Sequence, residues 1–165
     1  MGDVRILDFF AYVSARYSVQ RQVYNGVAGP ISIEVYSAPA HPYDVDDMVA
    51  STKAGLAYYE KNFSPYQFRQ FRVLEFPRYR TFAQSFPNTV PFSEFGFIGR
   101  VLNPQDDIDL TYFVTAHELA HQWWGHQLIG ARAEGSNMMA ESLAEYSALR
   151  VMEKKYGDDQ MRKFL

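Results

Sequence analysis

One short motif constrains this chain more than any other feature: two histidines four residues apart, His117-Glu-Leu-Ala-His121. Apolar residues recur at helical spacing from 110 to 124, which predicts a helix there with Gly125 as its C-terminal cap. Residues four apart on a helix lie about 40° apart around its axis, so both imidazoles project from one face. Polar groups on a largely apolar helix are costly unless they are paired. Both rings are therefore expected to have polar partners in the fold.

The same spacing is typical of a metal site. A nitrogen of each ring can reach one tetrahedral zinc ion at about 2.0–2.1 Å. Glu118 lies on the neighbouring flank of the helix, where its carboxylate can reach water at the metal without binding the metal itself. The motif therefore predicts one Zn2+ per chain, with His117 and His121 as ligands and Glu118 as the general base of a hydrolytic reaction.

A catalytic zinc ion needs a third protein ligand. The sequence has no Cys, and the two other histidines, His41 between prolines and His126 beyond the predicted helix, are expected to be ordinary surface or hydrogen-bonded side chains. Glu141 and Glu145 lie one turn apart on a second predicted helix over 137–156. One of them can bind the metal while the other accepts a hydrogen bond from a ligating imidazole. The residues alone leave open which is which.

The first part of the chain has the pattern of a sheet interrupted by one helix. Strands are predicted over 9–23, 31–36, 71–76 and, at an edge, 92–98, with a turn at Asn25-Gly26. A helix is predicted from Asp44 or Asp46 to about residue 64, and a long loop from 78 to 91. The chain is therefore expected to be one α+β domain over 1–165, sheet-rich over 5–100 and helical over 108–165.

The composition excludes several classes of function. Lys and Arg total 16 against 19 Asp and Glu, a net charge of −3, which argues against a nucleic-acid surface. No stretch of about eighteen apolar residues exists, so no membrane segment is predicted. The absence of Cys excludes disulfides and thiolate zinc sites.

Residues 158–165 have the pattern of the first turns of another helix, so the chain is expected to be a fragment of a longer protein.

Two stretches resemble a known enzyme family. Residues 117–125, His-Glu-Leu-Ala-His-Gln-Trp-Trp-Gly, resemble the active-site helix of the aminopeptidase N-like zinc metallopeptidases, which belong to the gluzincin group. Residues 141–146, Glu-Ser-Leu-Ala-Glu-Tyr, resemble the family segment that carries the third zinc ligand. The resemblance implies that Glu141 is this ligand and that Glu145 is the hydrogen-bond partner of an imidazole. Nineteen residues separate His121 from Glu141, one more than is usual in the family.

The resemblance also implies a fold and a reaction. The fold is the N-terminal subdomain of a thermolysin-like zinc peptidase: a mixed twisted sheet packed on the active-site helix, followed by a second ligand-bearing helix. The reaction is the removal of N-terminal residues from a peptide substrate. Residues 92–98 resemble the end of the family's edge strand, which implies that Glu94 binds the substrate's free amino group. The tyrosine that stabilises the oxyanion in the family is expected beyond residue 165.

The sequence of the two helices is similar to a bacterial branch of the family in which this domain can follow membrane-permease segments. The resemblance therefore admits an attachment to membrane segments in the parent protein. Two alternatives to an aminopeptidase stay open. A metallo-endopeptidase would share the zinc ligands but lack the carboxylate that binds the substrate amine. A zinc-bearing interaction domain would lack catalysis and have no use for Glu118.

Apolar residues on the outer face of the second helix also predict self-association of the isolated chain.

Overall fold

A β-hairpin opens the described part of the chain, which covers residues 12–98 and 108–162 of the computed structural model. Strands β1 (Ser18–Gly26) and β2 (Gly29–Ser37) pair antiparallel along their full length. The turn lies two residues later than the sequence predicts, because Asn25 still pairs with Pro30 across the hairpin. The sequence also predicts a turn over 103–107, from its Asn-Pro-Gln-Asp-Asp pattern. This turn and the part of the predicted first strand before residue 12 lie outside the described residues.

The sheet is mixed. Strand β3 (Gln70–Phe76) pairs parallel to β2, and strand β4 (Thr89–Ser93) pairs parallel to β3, which gives the order β1-β2-β3-β4. Helix α1 (Val45–Asn62) forms the crossover that a parallel β2–β3 pair requires. These bounds agree with the predicted helix and with two of the predicted strands.

One face of the sheet and the inner faces of the helices form the core. Alternate residues of β2 and β3 are buried, as expected for strands with one covered face. The core side chains with no more than about a fiftieth of their surface exposed include Ile33, Val35, Phe71, Val73, Val90, Met48, Leu56, Tyr59 and Leu119. This arrangement of a sheet packed against helices confirms the predicted α+β class.

Helix α3 (Leu110–Ala120) packs tightly on α1. The Asp109 side chain accepts a hydrogen bond of 2.9 Å from the Tyr112 backbone N–H and so caps the first turn. A Cβ at Gly55 would lie 2.7 Å from a Leu119 methyl group, so only glycine allows this approach of the two helices. Tyr59 also donates to the carbonyl of Ala116 at 2.9 Å. The position of the histidine pair is thus fixed relative to the core.

Helix α4 (Ser136–Tyr156) packs on α3 and is followed by the short α5 (Asp158–Met161). The sequence pattern predicts an inner stripe of large residues that includes Met139 and Tyr146, and this is wrong: their side chains are 57% and 60% exposed. The buried face consists of smaller residues, among them Ala144 and Ala148. Small side chains allow α4 to lie close to α3.

The strand predicted over 92–98 is only partly present. Strand β4 ends at Ser93, and Phe95–Ile98 form a short helix, α2. The outer edge of β4 is also not open, since residues 82–86, hereafter the edge segment, pair with it antiparallel through bridges at Ala83 and Phe86. Over residues 12–98 and 108–162, no helix is both long and apolar enough to cross a membrane.

Candidate metal centre

Three potential ligand atoms converge on one point between α3 and α4. His117 Nε2 lies 3.1 Å from His121 Nε2, and Glu141 Oε2 lies 3.4 Å from the first nitrogen and 3.3 Å from the second. The two rings are half-buried, whereas the Glu141 side chain is 65% exposed. The two helices thus bring together the three residues that were predicted as zinc ligands.

This spacing fits a zinc ion. In a tetrahedral site with bonds of about 2.0–2.1 Å, neighbouring ligand atoms lie about 3.3 Å apart. The three distances in the group, 3.1 to 3.4 Å, match that value. Two nitrogens and one carboxylate oxygen are also a donor set that zinc accepts, and they leave a fourth position for water or substrate.

A local hydrogen bond orients the ring of His121, and a carboxylate lies beside the ring of His117. Helix α3 ends at Ala120, but the His121 N–H still bonds the His117 carbonyl at 3.2 Å, so the two residues keep their helical relation. His121 Nδ1 lies 3.0 Å from the Trp124 carbonyl and donates to it, which leaves Nε2 as the lone-pair atom. Glu145 Oε2 lies 3.2 Å from His117 Nδ1 without the alignment of a hydrogen bond. Glu145 was predicted as the hydrogen-bond partner of one of the imidazoles, and the structure places it beside the ring of His117.

Burial shifts the pKa values of two neighbouring side chains at this site, His117 and Glu118. Burial and the charge of His121 lower the pKa of His117 to about 4, so the ring is neutral and can offer a lone pair. Burial, and then the charge of Glu141, raise the pKa of Glu118 to about 8, an effect that the Ser85 backbone N–H partly offsets. A buried carboxyl with such a pKa, close to a metal-ligand set, is a candidate for proton transfer near neutral pH.

A cavity of about 430 Å³ opens at this group. Helix α3 and the turn after it form one wall, the start of α4 another, and the edge segment a third. Its lining residues are Ala83, Gln84, Ser85, His117, Glu118, His121, Trp124, Gly125, His126, Ala140 and Glu141. The described carboxylates on this lining are those of Glu118 and Glu141.

The edge segment is paired with β4 on one side, and on its other side, within the described part of the chain, the Ser85 carbonyl bonds His126 while Ala83 stays unpaired. The Gln84 N–H bonds the Pro91 carbonyl at 3.1 Å, and the Ser93 N–H bonds the Phe82 carbonyl at 3.0 Å. In an antiparallel pair, the residue between two such bonds turns its own N–H and C=O away from the partner strand. Ala83 is that residue, and neither of its backbone groups has a partner among the described residues. An unpaired strand edge therefore lies along the cavity.

Glu94 is the predicted site residue that the structure does not bring to this cavity. It lies in the turn between β4 and α2, and its carboxylate accepts a hydrogen bond of 3.1 Å from the Arg78 backbone N–H. It is not part of the cavity lining.

The sequence reasoning also missed residues that belong to the site. His126 is hydrogen-bonded, as expected, but its partner is the Ser85 carbonyl at 3.2 Å and its side chain lines the cavity. Gln122, directly after the second histidine, is fully buried and bonds the loop that contains the edge segment. Its position in a run of apolar residues was the available signal, because a buried amide needs partners. His41, by contrast, lies away from the cavity and pairs with Glu75 at 2.5 Å.

Comparisons with known proteins agree with this geometry. The model of the peptidase family M1 domain matches residues 48–165. The chain is similar to the crystal structure of Legionella pneumophila aminopeptidase A in complex with aspartic acid, with 22% identity and a TM-score of 0.75. It is also similar to a mutant M1 zinc metallopeptidase from Deinococcus radiodurans, with 18% identity and a TM-score of 0.58.

These likenesses concern the fold of one part of longer chains. The matched region is 90% of this chain but 18% of the Legionella chain, and 86% of this chain but 30% of the Deinococcus chain. The chain thus spans less than a third of the length of either solved relative. No curated protein sequence matches it.

Proposed function

The chain belongs to peptidase family M1, and on that basis we propose that it carries the metal site of a zinc-dependent aminopeptidase, which hydrolyses N-terminal residues from peptides. The observation that carries the proposal is the convergence of two ring nitrogens and one carboxylate oxygen at zinc spacing beside the buried Glu118. The domain is proposed to be the N-terminal part of a longer catalytic unit, since the solved relatives extend far beyond the matched region.

His117, His121 and Glu141 would hold the zinc ion, and Glu145 would steady the His117 ring. When bound, zinc supplies Lewis acidity, which polarises the scissile carbonyl and makes nearby water more acidic. The ligand side chains come from two different helices, so the ion would also strengthen the contact between α3 and α4.

Glu118 is the proton carrier in this proposal. It lies between the two ligand histidines in sequence but is not one of the three converging groups. Its raised pKa, about 8, is close to neutral pH. A carboxyl group with such a pKa can take a proton from the attacking water and return it to the leaving amine without a large free-energy penalty in either step.

The peptide main chain is proposed to bind along the edge segment. A peptide that adds as an extra strand would pair with the Ala83 N–H and C=O, which have no partner among the described residues. The sequence alone predicts an edge strand near 92–97 to which a peptide main chain could add, but the outer edge of β4 is already paired. A peptide bound on the edge segment would lie beside both Glu118 and the histidine pair.

An endopeptidase is the second candidate, and one observation favours it. An aminopeptidase needs a negative group for the substrate ammonium, yet the part of the edge segment on the cavity carries Ala83, Gln84 and Ser85 and no carboxylate. The role of Glu94 as that group stays a prediction. A Glu94→Ala variant tests it on substrates with free and acetylated amines. Loss of a charge-assisted contact would lower kcat/KM by about one to two decades for free amines alone, and an equal effect on both substrates would favour the endopeptidase.

The proposed peptidase reaction is tested with Glu118→Gln in the full-length zinc-loaded protein. We expect zinc content to be unchanged and kcat on peptide substrates to fall by about 10²–10⁴-fold, because the shape stays and the base is lost. Glu134→Gln is the matched control, since this glutamate is exposed and does not line the metal cavity. A Glu118→Gln variant with more than about a tenth of the wild-type kcat would remove this residue from the reaction.

A further inference from the structure

The side-chain amide of Gln122 makes three hydrogen bonds, and all of them are to one short piece of chain. Its side-chain NH₂ group donates to Ser85 Oγ at 2.6 Å and to the Phe86 carbonyl at 2.9 Å. Its side-chain oxygen accepts from the Asn88 N–H at 2.8 Å. The residue has no exposed surface. All three bonds therefore join the turn after α3 to the end of the edge segment and the residues just beyond it.

Two further contacts strengthen the same connection. The Ser85 hydroxyl that accepts from Gln122 donates in turn to the Glu118 carbonyl at 2.8 Å. His126 Nε2 lies 3.2 Å from the Ser85 carbonyl. The edge segment is thus held by β4 on one side and by the metal-bearing helix and its following turn on the other. Only the contacts with the metal-bearing helix and the turn after it connect the edge segment directly to the histidine pair.

The placement of these bonds points to a function. Gln122 follows His121 directly in the chain, so a displacement of the edge segment relative to Gln122 is also a displacement relative to a proposed metal ligand. We infer that Gln122 is a positioning residue: it sets where a peptide bound on the edge segment lies relative to the metal ligands, and hence which peptide bond reaches Glu118. The inference rests on the proposed function and adds the group that fixes the substrate's register.

Packing alone does not account for a glutamine here. A buried amide is costly unless each of its polar atoms is paired, and an apolar side chain of similar size would fill the same space without that requirement. The pairing is also directional, because two donors and one acceptor meet three successive parts of the same loop. This directionality holds a backbone in one position, which a methionine side chain cannot do.

The test compares Gln122→Met with a matched control, Gln127→Met, in the full-length zinc-loaded protein. Gln127 is exposed and bonds the Pro65 carbonyl, away from the cavity. KM and kcat are measured for a tetrapeptide, which can lie on the edge segment, and for a single-residue anilide, which cannot. Zinc content is measured in each variant. Peptide affinity is measured by calorimetry in a Glu118→Gln background, where the peptide stays uncleaved.

For Gln122→Met we expect KM and the calorimetric Kd for the tetrapeptide to rise by about tenfold or more, with little change in zinc content or in KM for the anilide. The control should resemble wild type. Equal losses on both substrates, or no loss, would overturn the inference in favour of a structural role.

If Gln122→Met does not fold, Ser85→Ala takes its place, since it removes only the hydroxyl that links Gln122 to the Glu118 carbonyl. A selective rise in tetrapeptide KM and Kd again supports the inference, and a uniform effect or none overturns it. A wild-type protein that binds the tetrapeptide but cleaves nothing contradicts the proposed function alone, because the calorimetric comparison still decides the role of Gln122. A wild-type protein that does neither overturns both.

Discussion

Trp124 Nε1 donates a hydrogen bond of 2.9 Å to Ser147 Oγ, and this bond joins the turn after α3 to the buried face of α4. The Ser147 hydroxyl donates in turn to the Leu143 carbonyl one turn earlier on α4. Glu141 precedes Ser147 on the same helix, so the bond fixes the rotation of α4 that brings Glu141 Oε2 to 3.3 Å from His121 Nε2. A pair of residues outside the ligand set thus contributes to its geometry, together with the packing of α4 on α3.

Ser147→Ala should weaken both folding and metal binding. The variant leaves the Trp124 N–H without its partner, which should lower the free energy of unfolding by about 1–3 kcal/mol. Loss of a group that orients a ligand should also reduce zinc affinity, by about 10-fold or more. Denaturant unfolding and zinc titration calorimetry measure the two effects. Ser142→Ala, at an exposed position of the same helix, is the control and should change neither.

The two glutamates of α4 should differ in their effect on zinc. Glu141→Ala removes the oxygen at 3.3–3.4 Å from both rings, and we expect the variant to lose stoichiometric zinc after dialysis. Glu145→Ala removes only a neighbour of His117 Nδ1, and it should keep one zinc per chain with an affinity lower by about 10–100-fold. Elemental analysis and competitive chelation distinguish the two. The ligand assignment is wrong if Glu145→Ala, and not Glu141→Ala, is the metal-free variant.

Glu118 should destabilise the metal-free protein at neutral pH. Its folded-state pKa is raised to about 8 from an ordinary value of 4.5, mainly by burial. Below pH 4.5 the carboxyl is protonated in both the folded and the unfolded chain, so it does not lower the free energy of unfolding. Between the two values only the unfolded chain releases the proton, so stability falls as the pH rises and stays low above pH 8. The loss at pH 7 is on the order of 3 kcal/mol.

Glu118→Gln should therefore raise the Tm of the metal-free protein, with a gain that is near zero at pH 4 and largest at about pH 8. Thermal unfolding followed by circular dichroism over this pH range, in the presence of a chelator, provides the measurement. The exposed Glu134→Gln control should show no such trend. A Tm difference that does not depend on pH would contradict the raised pKa.

The histidine pair and its helices could be predicted from the sequence because their signals are local. The spacing of His117 and His121 fixes their common face, and Gly157 marks the end of α4. The resemblance of residues 117–125 identified the family, which the match over 48–165 confirms. The large apolar residues of α4 predict the wrong buried face for this helix. Close packing on α3 selects small residues such as Ala144 and Ala148 instead.

The third wall of the cavity could not be predicted, because it depends on pairing between residues that show little strand pattern. Residues 82–86 double back on β4 through a turn in which Asn88 has a φ of +57°, and nothing in their local sequence specifies that partner. The predicted edge strand over 92–98 was consequently displaced toward the C-terminus. The resemblance of residues 92–98 to the family's edge strand assigned the substrate's amino group to Glu94. The residues that line the cavity here are instead Gln84 and Ser85 of the edge segment.

The isolated 165-residue chain should fold and bind zinc but be a poor catalyst. Glu141 and Glu145 are 65% and 51% exposed, so the α4 side of the cavity is open to water. In the solved relatives the matched region is less than a third of the chain, and the remainder is available to close such a site. An oxyanion donor supplied by that remainder would alone contribute about 10²–10³-fold to kcat. Exposed apolar side chains around a second, neighbouring pocket should also cause self-association; they are Leu128, Ile129, Met138 and Met139.

The comparison is between this chain and the full-length protein, both loaded with one zinc per chain, on the same aminoacyl-anilide. We expect kcat/KM to differ by at least about two decades, and light scattering to show concentration-dependent oligomers of the isolated chain only. Met138→Lys, at an exposed position, should reduce the oligomers without restoring activity, which separates the two effects. Rates within about tenfold of each other would show that the described cavity is already a sufficient active site.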